Sequence, residues 1–144
     1  MARIKLSVPQ KFIFQTTIPV RISDVNYGGH VGNDAILSII HEARLQFLQS
    51  MQFSELDFGG TGLIMADVAI EFKNEAFYAD ILQVSVVIED VQKINFDIFY
   101  KLEKTVDGKT VTVALAKTGM ICFDYEKRKV AAISTLALEK IHSH

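Results

Sequence analysis

The chain of 144 residues has one cysteine, two prolines and no tryptophan, and its 15 Lys and Arg fall just short of its 17 Asp and Glu. With Cys122 alone, no intrachain disulfide can form and no cysteine-based zinc cluster can assemble. A formal net charge of −2 offers no basic face of the kind nucleic-acid binders present, so nucleic acid is not an expected partner. No apolar run reaches the ~18 residues of a membrane span. Met1-Ala2-Arg3-Ile4-Lys5 leads into no apolar stretch with a small-residue cleavage site, so no secretory signal is read there. These absences lead us to expect a soluble cytoplasmic protein, a single domain over 1–144, with no membrane partner.

What is present is apolar content, 49% of the residues, arranged in two periods. Residues 11–25 alternate Phe12, Phe14, Thr16, Ile18, Val20 and Ile22 along one face, a strand with Pro19 marking an edge, bulge or bend. From Asn33 the period lengthens. Ile36, Ile40, Ala43 and Phe47 fall at helical spacing, and Leu37, Ile39, Leu48 and Met51 widen the stripe, predicting a helix from Asp34 to Met51 buried on most sides. Asn33 or Asp34 suits its N-cap or first turn. A glycine-rich connection over 52–62 follows. Four runs then alternate with period two: Ile64–Lys73, Leu82–Glu89, Ile94–Glu103 and Val111–Phe123, the last entered through the turn signal Asp107-Gly108. The last three, closely spaced, predict an antiparallel meander. A short strand at Val130–Ile133 and a helical turn or two at Leu136–Ile141 end the chain. The expected class is α+β, one helix packed on one sheet.

The stretch between first strand and helix carries the chemistry-bearing residues: Asp24-Val25-Asn26-Tyr27-Gly28-Gly29-His30-Val31-Gly32-Asn33. A glycine-rich turn opening a helix gathers unpaired N–H groups at the positive end of the helix dipole. His30 has two readings, a turn residue held by backbone hydrogen bonds or an imidazole that activates water or protonates a leaving group. Asn26 reads equally as an Asx-turn residue. Asp24 reads as a local hydrogen-bond organiser or a direct participant. Glu42, beside His41 and Arg44, is either an exposed or ion-paired helix residue or a general base. Nine residues after Asn33, it lies about 14 Å along the axis and can reach a site there only if the substrate lies along the helix or across a dimer interface. Asp34 and Asp67 are weaker acidic candidates.

The junction Asp24-x-Asn26-x-x-Gly29-His30-Val31-x-Asn33, with Glu42-Ala43-Arg44 after it, resembles the hotdog-fold thioesterases, especially the 4-hydroxybenzoyl-CoA thioesterase type of acyl-CoA thioesterase. The likeness in element order runs over roughly 11–133 and in motif over Asp24–Arg44. It implies a long central helix wrapped by a five- to six-stranded antiparallel sheet. It also implies hydrolysis of acyl-CoA to a carboxylic acid and a free thiol, with no metal or cofactor. Asn26, His30, Glu42 and Asp24 become the implied catalytic residues. Gly29, Val31, Gly32 and Asn33 become the substrate-binding ones, with N–H groups near Val31–Asn33 as an oxyanion hole. Self-association as a homodimer or homotetramer is implied too.

Two positions depart from the pattern. Asn26 stands where the family has its second Asp, and Gly32 where it has the first Asn of a pair. An amide is neither an anionic nucleophile nor a general base. Acyl-carrier-protein thioesterases of similar fold rely on Asn and His with an acid, so the activity survives and the acid must come from elsewhere. The departure also keeps open a catalytically silent domain that binds acyl thioesters. Hydroxyacyl dehydratases resemble the chain less, because their His-Phe-Pro-like turn and later prolines are missing.

Overall fold

The computed structural model describes residues 1–143. The order is β1 (Phe14–Pro19), a 3-10 turn (Ile22–Asp24), α1 (Asn33–Ser50), β2 (Gly62–Phe72), β3 (Ile81–Glu89), β4 (Asn95–Val106), β5 (Lys109–Asp124), β6 (Lys129–Val130) and α2 (Thr135–His142). One antiparallel sheet runs β1-β3-β4-β5-β2, with the two-residue β6 also on β5. The meander β3–β4–β5 is as expected, and the two strands flanking α1 form opposite edges of the sheet. Asp107 and Gly108 both take positive φ, which the two-residue β4–β5 hairpin demands.

The helix packs with Ile36, Ile39, Ile40, Ala43, Phe47 and Leu48 against the sheet residues Leu82, Val84, Val86, Phe96, Ile98 and Leu102 in one core. The rings of Phe14 and Phe47 join β1 to α1 at 5.6 Å. Contrary to the expectation of burial on most sides, Asp34, Ser38, His41, Glu42, Leu45 and Gln49 lie exposed. The helix is therefore amphipathic, with one face clear of this chain. Asn33 and Asp34 stand in its first turn, its N-cap is Gly32, and no side chain caps it.

Three strands also differ from the sequence reading. β1 is shorter than 11–25, because after Pro19 the Arg21 N–H turns to bond the Asp24 carboxylate at 2.8 Å and starts the 3-10 turn. β2 loses strict alternation at a bulge between Met65 and Asp67, so Met65, Ala66, Asp67 and Val68 are exposed in succession. The run expected at Val130–Ile133 pairs only at Lys129 and Val130. At the other end, the Leu6 N–H bonds the Glu71 carboxylate, tying the N-terminal segment to β2.

Candidate active site

The turn before α1 is closed by its own backbone. The Asn26 N–H bonds the His30 carbonyl at 2.9 Å, the Gly29 N–H bonds the Asn26 carbonyl at 3.0 Å, and Val25 and Val31 form an isolated bridge. Gly29 has φ of +86°, a conformation that explains a glycine there. The Asn26 Oδ1 accepts the Gly28 N–H at 2.8 Å, an Asx turn. A methyl group placed on Gly28 would stand 3.2 Å from Asn26 Oδ1 and 3.5 Å from His30 Nε2, so amide and imidazole flank the same Cα. His30 Nδ1 is 3.2 Å from the Val31 carbonyl. A proton on Nδ1 donates there and leaves Nε2 with its lone pair.

The free donors of the helix start lie two residues later than expected. The Val31 N–H is taken by the Ala76 carbonyl at 2.8 Å, and the Gly32 N–H by the Asp24 carbonyl at 3.1 Å. The first helical bond runs from Ile36 to Gly32. The N–H groups of Asn33, Asp34 and Ala35 therefore precede any helical donor and, at the positive end of the dipole, suit an anionic oxygen.

Two cavities flank this end of the helix and divide the candidate residues. One, of about 190 Å³, is lined by His30, Val31, Asn33 and Ile36 together with Phe72, Lys73, Glu75 and Val113. The other, of about 300 Å³ between β1 and α1, is lined by Asp24 and Glu42 with Thr17, Arg21, Ser38 and Gln46. His30 and Asn33 thus share one cavity, with Asn26 set beside His30 at Gly28, whereas Glu42 opens to a different cavity and accepts from Gln46 at 2.8 Å. Asp24 is buried, with its carboxylate on the Arg21 N–H and, at 3.5 Å, the Arg21 guanidinium. Gly32 accommodates the Asp34 carboxylate, since a methyl group there would stand 2.7 Å from the Asp34 Oδ1, with the Asn26 Cβ at 3.7 Å on the same side. Asp67 is not inward: its side chain is 62% exposed and plugs the β2 bulge, bonding Lys117 and the Gly119 N–H. Glu75 was not singled out from sequence. It lies outside any motif, and only the fold brings it beside His30.

Of the Glu42-Ala43-Arg44 patch, Arg44 turns inward to a separate network. Arg44 donates to Glu55 at 2.9 Å and to the Tyr100 oxygen at 3.3 Å, and the phenol is 2.7 Å from Thr118 Oγ1. His41 holds the other Glu55 oxygen at 2.7 Å. Burial pushes the Tyr100 phenol above its ordinary range, keeping it neutral. Burial alone would raise Glu55 too, but the His41 hydrogen bond and the Arg44 charge outweigh it and hold the carboxyl below its usual range.

Residues 20–141 match the thioesterase-like superfamily. Among solved structures, a 1,4-dihydroxy-2-naphthoyl-CoA thioesterase from Synechocystis superposes with a TM-score of 0.80 at 24% identity, covering 91% of this chain and 98% of that one. A 4-hydroxybenzoyl CoA thioesterase variant bound to 4-hydroxybenzoyl CoA gives 0.79 at 14% identity, with 89% and 97% covered. A gentisyl-coenzyme A thioesterase gives 0.74 at 15% identity, with 89% and 99% covered. Curated proteins gave no match. At such identities the solved structures establish a shared fold, the hotdog.

Proposed function

The chain belongs to the thioesterase-like superfamily, and on that premise we propose that it hydrolyses acyl-CoA thioesters to a carboxylic acid and free thiol. The observation that carries this reading is the convergence of His30, the Asn26 amide and the free N–H groups from Asn33 onward at the start of α1. In this reading the thioester carbonyl oxygen takes the Asn33 N–H, whose bond strengthens as the oxygen becomes an oxyanion. Gly29 and Gly32 keep the approach clear of side chains, and Val31 fixes the turn through Ala76. Asn26 orients water or the carbonyl, and His30 Nε2 exchanges a proton with the departing thiolate. Asp24 acts at one remove, holding the Gly32 N–H through its carbonyl. Glu42, the base suggested by the family likeness, would reach this carbonyl only with the thioester laid along the helix or from a second subunit. Lys73 at the cavity rim suits the anionic end of a CoA substrate, though an acyl-carrier-protein thioester fits the same chemistry.

The protein is further proposed to be cytoplasmic and to self-associate through the free edge of β2, where Met65, Val68 and Phe72 are exposed. No helix among the described residues is long and apolar enough to cross a membrane.

The test is release of free thiol over a panel of acyl-CoAs. We expect turnover with at least one, and a loss of roughly 10²- to 10⁴-fold in kcat for His30→Ala. Background rates for every acyl group with folded protein would sink the reading. Asn26 favours one rival, a silent domain that binds acyl thioesters, for which His30→Ala would change nothing.

A further inference from the structure

Within one chain, the amide of Asn26 leaves the His30 cavity without the anionic base that water attack on a thioester needs. We propose that Glu75 supplies it, an inference that rests on the thioesterase reading above. Three observations converge on this residue. Glu75 lines the same cavity as His30 and Asn33, while Asp24 and Glu42 line the other one. Among the described residues its carboxylate has no ion pair or hydrogen bond, although both nearby lysines are engaged. Lys73 pairs with Glu71 at 3.1 Å, and Lys104 with Asp80 at 3.1 Å. The third observation is how firmly its backbone is held.

Glu75 is exposed and lies between strands, yet the segment around it is fixed on every side. β5 carries a bulge opposite Leu102 and Glu103 that turns out the Val113 carbonyl, which accepts both the Lys73 N–H at 2.8 Å and the Asn74 N–H at 3.1 Å. The Asn74 amide donates to the Thr112 carbonyl at 2.7 Å. Lys104, 8% exposed, donates to the Glu75 carbonyl at 2.7 Å, with its ammonium 4.9 Å from the centre of the Phe77 ring. The next carbonyl, Ala76, accepts the Val31 N–H beside His30. A buried lysine is costly unless paired, and here it fixes a loop against the start of α1. The result is a carboxylate on a pre-positioned backbone next to the oxyanion donors, as a general base requires.

The step balances without a co-reactant. The water oxygen bonds the thioester carbonyl carbon as one water proton passes to the Glu75 carboxylate, and the carbonyl electrons move to the oxygen held by the helix N–H groups. Collapse of this intermediate breaks the C–S bond, and the pair leaves with sulfur. The thiolate takes that proton back from the Glu75 carboxylic acid, directly or relayed through His30 Nε2, which restores the carboxylate and leaves a carboxylic acid and a free thiol.

The experiment compares the parent protein with Glu75→Gln and Glu75→Asp on an acyl-CoA that the parent hydrolyses, with a non-hydrolysable thioether analogue of that acyl-CoA as a binding probe. For Glu75→Gln we expect kcat to fall roughly 10²- to 10⁴-fold with analogue affinity within about threefold of the parent, and for Glu75→Asp a partial recovery. A kcat loss under about tenfold in an otherwise active enzyme overturns the assignment and leaves the thioesterase reading standing; this includes the case in which Glu42→Gln carries the loss. Loss of analogue binding together with activity also overturns it, because the role would then be structural. A parent inert towards every acyl-CoA overturns both.

Discussion

Asn26 shows what a single residue can and cannot disclose. From sequence it removes the family's acid, and in the fold its side chain completes an Asx turn beside His30. His30, Gly29 and Asn33 were legible because they are contiguous and each serves a local geometric need. Glu42, expected to reach a site only with the thioester along the helix or across a dimer interface, opens in this chain to the other cavity. Glu75 was invisible because nothing local distinguishes it. The residue with a readable titration is Glu55, held below its ordinary range by His41 and Arg44 against the opposing pull of burial. A carboxyl whose folded value is depressed contributes stability above its unfolded value near pH 4.5, and that stability fades as pH falls through the folded value. Urea melts between pH 7 and pH 3 should therefore show an acid loss of stability that Glu55→Gln reduces. An identical pH dependence in the two proteins would exclude this contribution.

At the level of elements, α1 and the meander were legible from period alone, since β4 and most of β5 alternate buried with half-buried positions. β2 was misread in detail because an edge strand is covered on one side only and its bulge resets the alternation. The connection from Asn74 to Asp80 carries no apolar period, and its order depends on Lys104 of β4. Lys104→Met should cost about 2 kcal/mol, having left the Glu75 carbonyl and Asp80 without their donor. It should also lower kcat by roughly tenfold through loss of position. In a Glu75→Gln background the same change should cost stability but add little further loss of rate. Full additivity of the two rate losses would show that Lys104 does not act through Glu75.

For the molecule as a whole, the free edge of β2 and the cavity at its end belong to one surface. Association along that edge would bring a second copy up to Phe72 and Lys73, so assembly and activity should be linked. The expected species is at least twice the 16.1 kDa chain mass by sedimentation. A charge at the exposed mid-strand position, Val68→Lys, should shift it towards monomer and lower kcat/KM. A monomeric parent at micromolar concentration would remove that link. The topology also has a consequence for synthesis. β1 lies at one edge of the sheet with Phe14 opposite Val86, and β2 at the other with Phe72 opposite Ala114. On a ribosome adding about 5–20 residues per second, α1 is complete several seconds before the strands it must lie on exist. Its stripe of Ile36, Ile40, Phe47 and Leu48 spends that interval in water or against a chaperone, so the nascent chain is most prone to aggregate before the meander emerges.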